Sequence, residues 1–289
     1  MNYSPSVLVP DLTIGSPTAV LGDSVVEVGI ALVAIAALGA VLHLVARRAG
    51  SGQFSGLHWG KGLLTGVVTM AIVSLVMVPL GFIAKALQGP VDDHFFDYIE
   101  KAGTNSWTDV LETTTQMGNV MQTQRLGLVL SLVLAVGFAI KGYRWWVPIV
   151  LFPVAWWIAR LAQLVIAAII DRNRDALSLV DTKIGAYPSG GCARIILMTG
   201  TAVVLIAYYG KLSRKVTQWL LTIPLAFGLA EAYFRARLNQ HWLTDVVGGV
   251  VFGGLLLAAL YTTLKAFDPD PGGSEGGRRT TPDPVDAAA

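Results

Sequence analysis

The chain has 289 residues, of which 54% are hydrophobic and only 14% are charged, and its formal net charge is +2. Soluble domains carry about 25% charged residues, so this composition excludes a soluble protein and predicts an integral membrane protein. The small net charge gives no basis for nucleic-acid binding. The single cysteine, Cys192, excludes an intramolecular disulfide and a cysteine-based metal cage, and we interpret it as a buried core residue in preference to a nucleophile.

The two ends of the chain differ from its apolar middle. Residues 1–23 contain three prolines, two aspartates and no lysine or arginine, which is typical of a short extramembrane lead and not of a signal peptide. From residue 267 the composition shifts to Asp, Pro, Gly, Ser and Thr, which predicts a disordered tail over 267–289.

Seven apolar segments approach the ~20 residues that a helix needs to cross ~30 Å of hydrocarbon. The predicted spans are 24–46, 62–84, 124–140, 146–170, 193–209, 216–234 and 243–265. One long bent helix is an alternative for the two apolar runs 124–140 and 146–170. Their combined length far exceeds a single crossing, so two spans are favoured. The sequence therefore predicts an all-α fold, a polytopic transmembrane helix bundle.

The segment 85–123 is polar and acidic on balance. Within it, Val91, Phe95 and Tyr98 share one face at helical spacing, while Asp92 and its acidic neighbours point elsewhere. This pattern favours an interfacial helix lying on the membrane. A solvated connector is the alternative.

Basic residues in alternate loops predict the orientation of the chain. One side holds Arg47, Arg48, Lys61, Lys141, Arg144, Lys211, Arg214, Lys215 and the basic residues of the tail. The opposite side holds the amino terminus, the acidic 85–123 loop, the 171–192 loop and the 235–245 patch. The positive-inside tendency makes the first side cytoplasmic. The amino terminus is then outside, the carboxyl terminus inside, and the two polar patches lie on the outer face of the plasma membrane.

The 235–245 patch separates the last two predicted spans and contains one of the four histidines. His241 and Asp245 are four residues apart, so they share a helix face if the last helix begins near the histidine. A carboxylate that accepts from one ring nitrogen leaves the other as a nucleophile or base. Arg235 and Arg237 would hold an anion, most naturally a phosphate. Glu231, one turn before Arg235, is interpreted either as its ion-pair partner or as a site residue.

A second polar patch precedes the fifth span. Ser189 and Gly190 follow a proline at a predicted helix start, where unpaired N–H groups and the helix dipole favour an anion. An ordinary capped helix start is the alternative. Arg172 and Arg174 lie at the end of the fourth span, on the same predicted face of the membrane. Arg194 and Arg237 would serve lipid head groups or the site itself.

These segments resemble the three motifs of the type-2 phosphatidic acid phosphatase family, integral membrane lipid phosphatases related to vanadium haloperoxidases. The third motif (Ser-Arg, five residues, His, three residues, Asp) is matched over 235–245, with Phe234 in place of serine. The second, Pro-Ser-Gly-His, is matched over 188–190, with Gly191 in place of histidine. The first, Lys, six residues and Arg-Pro, is matched at Arg174 alone, and Arg172 is an alternative.

The resemblance covers about residues 62–265 and implies a six-helix phosphatidic acid phosphatase-like core. The chain then divides into 1–61, a lead with one extra transmembrane helix, the membrane domain 62–266, and the tail 267–289. What the resemblance implies is a two-step phosphoryl transfer from a polyprenyl or glycerolipid phosphate, without metal or cofactor.

The resemblance also implies a role for each site residue. His241 would attack phosphorus and form a phosphohistidine, and Asp245 would orient its ring. The phosphate-binding groups would be Arg174, Arg172, Ser189, Gly190, Gly191 and Arg235. In the family, the second-motif histidine protonates the leaving oxygen. With Gly191 in its place, Lys183, Asp181 or His94 would substitute, and a diphosphate would need such help less than an alkyl alcohol does.

Two other classes of function compete with a membrane lipid-phosphate phosphatase. A catalytically silent relative that binds phosphorylated lipid, as a scaffold or carrier subunit, would carry the same anion-binding groups. A secondary transporter has less support, because the sequence shows no inverted repeat and no interrupted apolar helices.

Overall fold

The computed structural model describes residues 52–54, 56–102, 115–173, 185–238 and 240–271. Within these ranges the fold is all-α. The helices are α1 (Trp59–Ala86), α2 (His94–Ala102), α3 (Val120–Lys141), α4 (Trp146–Ile170), α5 (Gly190–Tyr209), α6 (Arg214–Arg237) and α7 (Leu243–Phe267). Short 3-10 helices occupy Gly52–Phe54 and Thr115–Gly118, and a π-helical turn occupies Gln88–Asp93.

Five described helices, α1, α3, α4, α5 and α7, are long and apolar enough to cross a membrane. They confirm five of the predicted spans. Helix α6 coincides with the predicted span 216–234 but is not among these five, and its last two turns carry Glu231, Arg235 and Arg237. The predicted span 24–46, the lead 1–23 and residues 272–289 lie outside the described residues.

Helix α5 is the centre of the bundle. Nearly all its side chains are buried, and it packs against α3, α4, α6 and α7. Glycines allow α7 to approach it closely: a β-carbon added to Gly253 would lie 3.0 Å from the Cα of Ala193. Added β-carbons at Gly248 and Gly249 would likewise overlap Tyr187 and Ser189, whereas Gly254 has no atom within 4 Å of an added β-carbon.

The outer faces of the helices are apolar. Large exposed side chains include Leu63 and Leu75 on α1, Val133 and Ile140 on α3, and Trp219 on α6. Apolar surfaces of this extent are not left in water by soluble proteins, and here they form the surface that lipid would cover.

Polar side chains gather at the two ends of the bundle. At one end, the end of α7 meets the turn between α3 and α4: Asp268 is fully buried, 2.9 Å from Arg144 and 2.7 Å from the hydroxyl of Tyr209 that donates to it. This aspartate belongs to the segment predicted as a disordered tail, and it is part of the packed bundle. The other end, which we call the site end, brings together residues 88–92, 117–119, 171–173, 185–194, 231–238 and 240–245.

Candidate active site

Asp245, in the first turn of α7, joins three separate segments at the site end. Its backbone carbonyl accepts from the Ser189 N–H at 3.0 Å. Its Oδ1 accepts from the Arg172 guanidinium at 2.6 Å. Its Oδ2 accepts from the Trp242 N–H at 3.3 Å and lies 3.7 Å from Nδ1 of His241. A fully buried carboxylate requires such partners, and here they place His241, Ser189 and Arg172 around one side chain.

Arg172 is held from its other side by Asp92. The guanidinium forms an ion pair with the Asp92 carboxylate, and one of its nitrogens also donates to the Thr244 hydroxyl at 2.7 Å. Asp92 in turn accepts from the N–H and the hydroxyl of Thr244, at 2.9 and 2.7 Å. A planar guanidinium can serve two carboxylates at once. The π-helical turn, the end of α4 and the start of α7 are therefore locked together through Arg172.

Ser189 occupies the N-cap position of α5, but its side chain makes no capping hydrogen bond. Its hydroxyl accepts instead from the thiol of Cys192 at 3.4 Å. The first N–H groups of a helix have no intrahelical acceptor, and the cap does not supply one here. An anion is the natural partner for such a helix start. Cys192 is fully buried, which confirms its interpretation as a core residue.

Arg235 closes the other side of this helix start. Its Nε donates to Glu231 at 2.5 Å and another of its nitrogens donates to the Asn119 side chain at 2.9 Å. The predicted Glu231–Arg235 ion pair is confirmed. A β-carbon added to Gly191 would lie only 2.5 Å from Cζ of Arg235. The guanidinium therefore fills the space beside Gly191 that any larger residue would enter.

Arg194 lies one turn into α5 from Gly191 and is 5% exposed. It donates to the Gln163 side-chain oxygen at 2.8 Å and to the Gly118 carbonyl at 3.2 Å. Gln163 also packs directly on Gly190, where an added β-carbon would overlap its amide group. Arg194 and Gln163 thus form the inner wall of the helix start.

Tyr187 precedes this helix start and is wedged between α1 and α7. Its ring contacts the positions of Gly81 and Gly248, where an added β-carbon would lie 2.9 and 2.3 Å from the nearest ring atom. The buried hydroxyl has no hydrogen-bond partner among the described residues. Burial raises the pKa of Tyr187 to about 12, with a further contribution from Asp245 and an opposing one from Arg172. The hydroxyl is therefore neutral across the physiological pH range.

The structure places most of the predicted site residues at one end of the bundle. His241, Asp245, Arg172, Ser189, Gly190, Gly191 and Arg235 all lie there. Arg174, Lys183 and Asp181 lie outside the described residues. His94 is exposed at the start of α2, with its Nδ1 3.3 Å from the Gly89 carbonyl. Among the described residues, no group of three or more His, Cys, Asp or Glu side chains has a metal-binding arrangement.

The sequence motifs did not predict four residues of the polar networks as part of the site. Asp92 was expected on the solvated face of an interfacial helix, but it is completely buried. Thr244 and Asn119 lie near helix starts and Gln163 lies within α4, and none of them carries a further signal in the sequence. Asp92 could have been suspected from its place directly after an apolar span, where a carboxylate needs a partner.

Comparisons with known proteins agree with this arrangement. The family model described as PAP2 superfamily matches residues 126–268. A crystal structure titled as the first transmembrane PAP2 type phosphatidylglycerolphosphate phosphatase, from Bacillus subtilis, is similar with a TM-score of 0.53 and 20% sequence identity. The match covers 65% of this chain and 93% of that one. No curated protein sequence matches the chain.

The fold is that of an integral membrane helix bundle, with five described helices long and apolar enough to cross a membrane. Its segment 126–268 is similar to the PAP2 superfamily. The matched segment begins in α3 and ends directly after α7, so it contains every motif segment of the candidate site. Asp92, which holds Arg172, lies before it.

Proposed function

We propose that this protein is a lipid-phosphate phosphatase that hydrolyses a phosphorylated or diphosphorylated lipid at the outer membrane face. The observation that carries the proposal is the convergence of Arg172, Ser189 and His241 on Asp245. The match of residues 126–268 to the PAP2 superfamily and the five apolar helices support a substrate that resides in the bilayer.

His241 is the proposed nucleophile. Nε2 of the imidazole bonds to phosphorus while the bond from phosphorus to the leaving oxygen breaks. The electron pair stays on this oxygen, which belongs to the lipid alcohol or, in a diphosphate, to the lipid monophosphate. Water then releases inorganic phosphate from the phosphohistidine. We assign the attack to Nε2 because Asp245 faces Nδ1 from 3.7 Å. At 8% exposure His241 is nearly enclosed, and enclosure strengthens the electrostatic interactions of such a step.

The start of α5 is the proposed phosphate-binding element. Uncapped N–H groups of Gly190 and Gly191, the Ser189 hydroxyl and the Arg235 guanidinium can stabilise charge on the phosphate oxygens, which is the main work in phosphoryl transfer. Arg172 already serves two carboxylates, so we assign it to holding Asp245. Arg174 remains the predicted phosphate ligand of the first motif.

Charge distribution supports the orientation. The end opposite the site carries exposed cations at Lys61, Lys141, Lys211, Arg214, Lys215 and Lys265. The arginines of the site end at positions 172, 194 and 235 are buried in polar networks, and its exposed cations are fewer, Lys85, Lys101 and Arg125. By the positive-inside tendency, this difference supports a cytoplasmic first end and a site on the outer side.

A silent lipid-phosphate-binding protein is the second candidate function, and Gly191 is the observation that favours it. The family resemblance puts a proton donor at this position, and general acid catalysis contributes on the order of 10²–10⁴-fold. Arg235 fills the adjacent space and carries no proton that it can readily transfer.

Phosphate release by the purified full chain in lipid nanodiscs separates the two functions. The substrates are prenyl monophosphate, prenyl diphosphate and phosphatidic acid, and the variants are His241→Ala and His58→Ala. His58 is exposed at the opposite end, so its replacement is a matched control. A phosphatase loses its activity with His241→Ala and retains it with His58→Ala. If the wild type and both variants release phosphate only at the same background rate, the phosphatase function is rejected and the binding function remains.

A further inference from the structure

Asp92 is a completely buried carboxylate that lies outside all the motifs of the candidate site. It belongs to the π-helical turn Gln88–Asp93, and the segment that resembles the PAP2 superfamily begins only at residue 126. A buried carboxylate is costly unless it is paired and hydrogen-bonded. The presence of Asp92 in the bundle is therefore explained by the groups that it holds in place.

One of these groups is the start of helix α7. The Asp92 carboxylate accepts from the N–H of Thr244 at 2.9 Å and from its hydroxyl at 2.7 Å. Thr244 is the second residue of α7, so its N–H is one of those that have no acceptor within the helix. A carboxylate at a helix start is also favoured by the helix dipole. Asp92 thus fixes the turn of α7 that follows His241 and contains Asp245.

The second group is the guanidinium of Arg172. One of its terminal nitrogens pairs with Asp92, and the other donates to Oδ1 of Asp245 at 2.6 Å. A guanidinium is a planar fork with fixed donor directions, so a partner on one side sets the direction in which the other side donates. With Oδ1 of Asp245 held in this way, Oδ2 lies 3.7 Å from Nδ1 of His241.

Asp92 also sets the charge beside the nucleophile. Asp92 and Asp245 supply two carboxylates against the one guanidinium of Arg172, so this buried cluster carries an excess of negative charge. Lys85 donates to the backbone carbonyl that precedes Arg172, but it is exposed, where its charge is screened. The His241 ring becomes positive when Nε2 gives its electron pair to phosphorus. A fixed negative cluster behind Nδ1 stabilises that charge.

We propose that Asp92 is a positioning residue for the phosphoryl transfer, acting on His241 through Arg172 and Asp245. This inference rests on the proposed function and adds to it a residue that acts through its neighbours. Asp92→Asn is nearly isosteric and keeps an oxygen acceptor for Thr244, but it loses the negative charge. Arg172 then pairs with Asp245 alone, and the excess negative charge behind the imidazole disappears.

Steady-state kinetics of the full chain in nanodiscs test the inference, with the same three lipid phosphates as substrates. Asp92→Asn is expected to lower kcat roughly 10- to 100-fold and to change KM less than about threefold, because it displaces the reacting group and leaves the phosphate-binding groups in place. Asp268→Asn is the matched control. Asp268 is also completely buried and paired with an arginine, Arg144 at 2.9 Å, but at the opposite end of the bundle. Its replacement leaves kcat unchanged at temperatures below the unfolding of both variants.

Nitrogen NMR of the histidine rings adds a readout that needs no turnover. In the full chain with isotope-labelled histidine, the His241 signals are those that are missing from His241→Ala. A carboxylate that faces Nδ1 favours the tautomer that carries its proton there. Asp92→Asn is expected to shift the His241 signals toward a mixture of the two tautomers, and Asp268→Asn to leave them unchanged.

The kinetic and NMR results together decide the outcome. A wild-type kcat in Asp92→Asn, an equal loss of kcat in Asp268→Asn, or a loss that lies in KM overturns the inference. If Asp92→Asn does not fold, Thr244→Val removes only the hydroxyl that links Asp92 and Arg172. We expect it to lower kcat at least about threefold at unchanged KM, and a wild-type kcat also overturns the inference.

The two readouts also separate this inference from the proposed function. Turnover that requires His241, together with unchanged ring signals in Asp92→Asn, would sustain the proposed function and reject this inference alone. Shifted ring signals in a protein that releases no phosphate would sustain the action of Asp92 on His241 and reject the proposed function alone.

Discussion

The Arg172 guanidinium donates to the Asp245 carboxylate at 2.6 Å, inside the bundle and away from solvent. The same guanidinium pairs with Asp92, which reaches it from the turn after α1. The Asp245 carboxylate, beside the proposed nucleophile, is thus fixed by the N–H of Trp242 at the N-cap of α7. It is also fixed by the charges of Arg172 and Asp92, which come from two other segments. Preorganisation of this kind is what a phosphoryl-transfer site needs.

Replacing Arg172 by glutamine is expected to destabilise the fold, because it leaves the buried carboxylates of Asp92 and Asp245 without their shared cation. Breaking a buried pair by removing one partner costs about 3–5 kcal/mol. Thermal unfolding in detergent measures the effect. In the Asp92→Asn/Arg172→Gln double variant one of the two carboxylates is neutral, so part of the loss should be recovered. If Arg172→Gln unfolds at the same temperature as the wild type, the prediction that Arg172 stabilises the fold through Asp92 and Asp245 is wrong.

Gly191→Ala is expected to lower kcat/KM roughly 10- to 100-fold, since its β-carbon would displace the Arg235 guanidinium from its position beside the helix start. Gly191→His displaces it further, so a proton donor introduced there does not raise turnover of a diphosphate. Steady-state kinetics measure both. Gly137→Ala, on an exposed face of α3 with no atom within 4 Å of the added carbon, is the control. Equal kinetics for Gly191→Ala and Gly137→Ala would contradict the close contact.

Tyr187 makes the free energy of unfolding depend on pH in the alkaline range. Its pKa is raised from 10.0 to about 12 in the folded state, so the unfolded chain loses this proton first as pH rises. The stabilisation is present below pH 10 and is lost as pH approaches 12. Unfolding temperatures between pH 8 and pH 11 should fall less steeply for Tyr187→Phe than for the wild type. An equally steep fall of the unfolding temperature in Tyr187→Phe and in the wild type would contradict the raised pKa of Tyr187.

Asp268 is expected to matter for stability and not for the site. Replacing it by alanine leaves Arg144 buried without its carboxylate and removes the acceptor of the Tyr209 hydroxyl. We expect a lower unfolding temperature with an unchanged KM, because the contact lies at the opposite end of the bundle. A raised KM at unchanged stability would show that the two ends are coupled.

Local patterns predicted much of this architecture. Apolar runs located the helices, and the one-turn spacing of Glu231 and Arg235 predicted their ion pair. The partnership of Asp92 with Arg172 joins residues 80 positions apart and leaves no periodic trace in the sequence. The burial of Arg194 between Gln163 and Gly118 likewise depends on how α4 and the turn before α3 pack on α5. Pairings of this kind are set by the packed helices and not by any single segment.

Rapid quenching detects the covalent phosphorylation of His241 that the proposed function requires. The full chain is mixed with prenyl diphosphate carrying labelled phosphorus at its outer position, quenched in alkali within milliseconds, and digested. We predict an alkali-stable, acid-labile label on the peptide that contains His241, present in His58→Ala and absent in His241→Ala. Turnover without label on that peptide, or label that persists in His241→Ala, would contradict it.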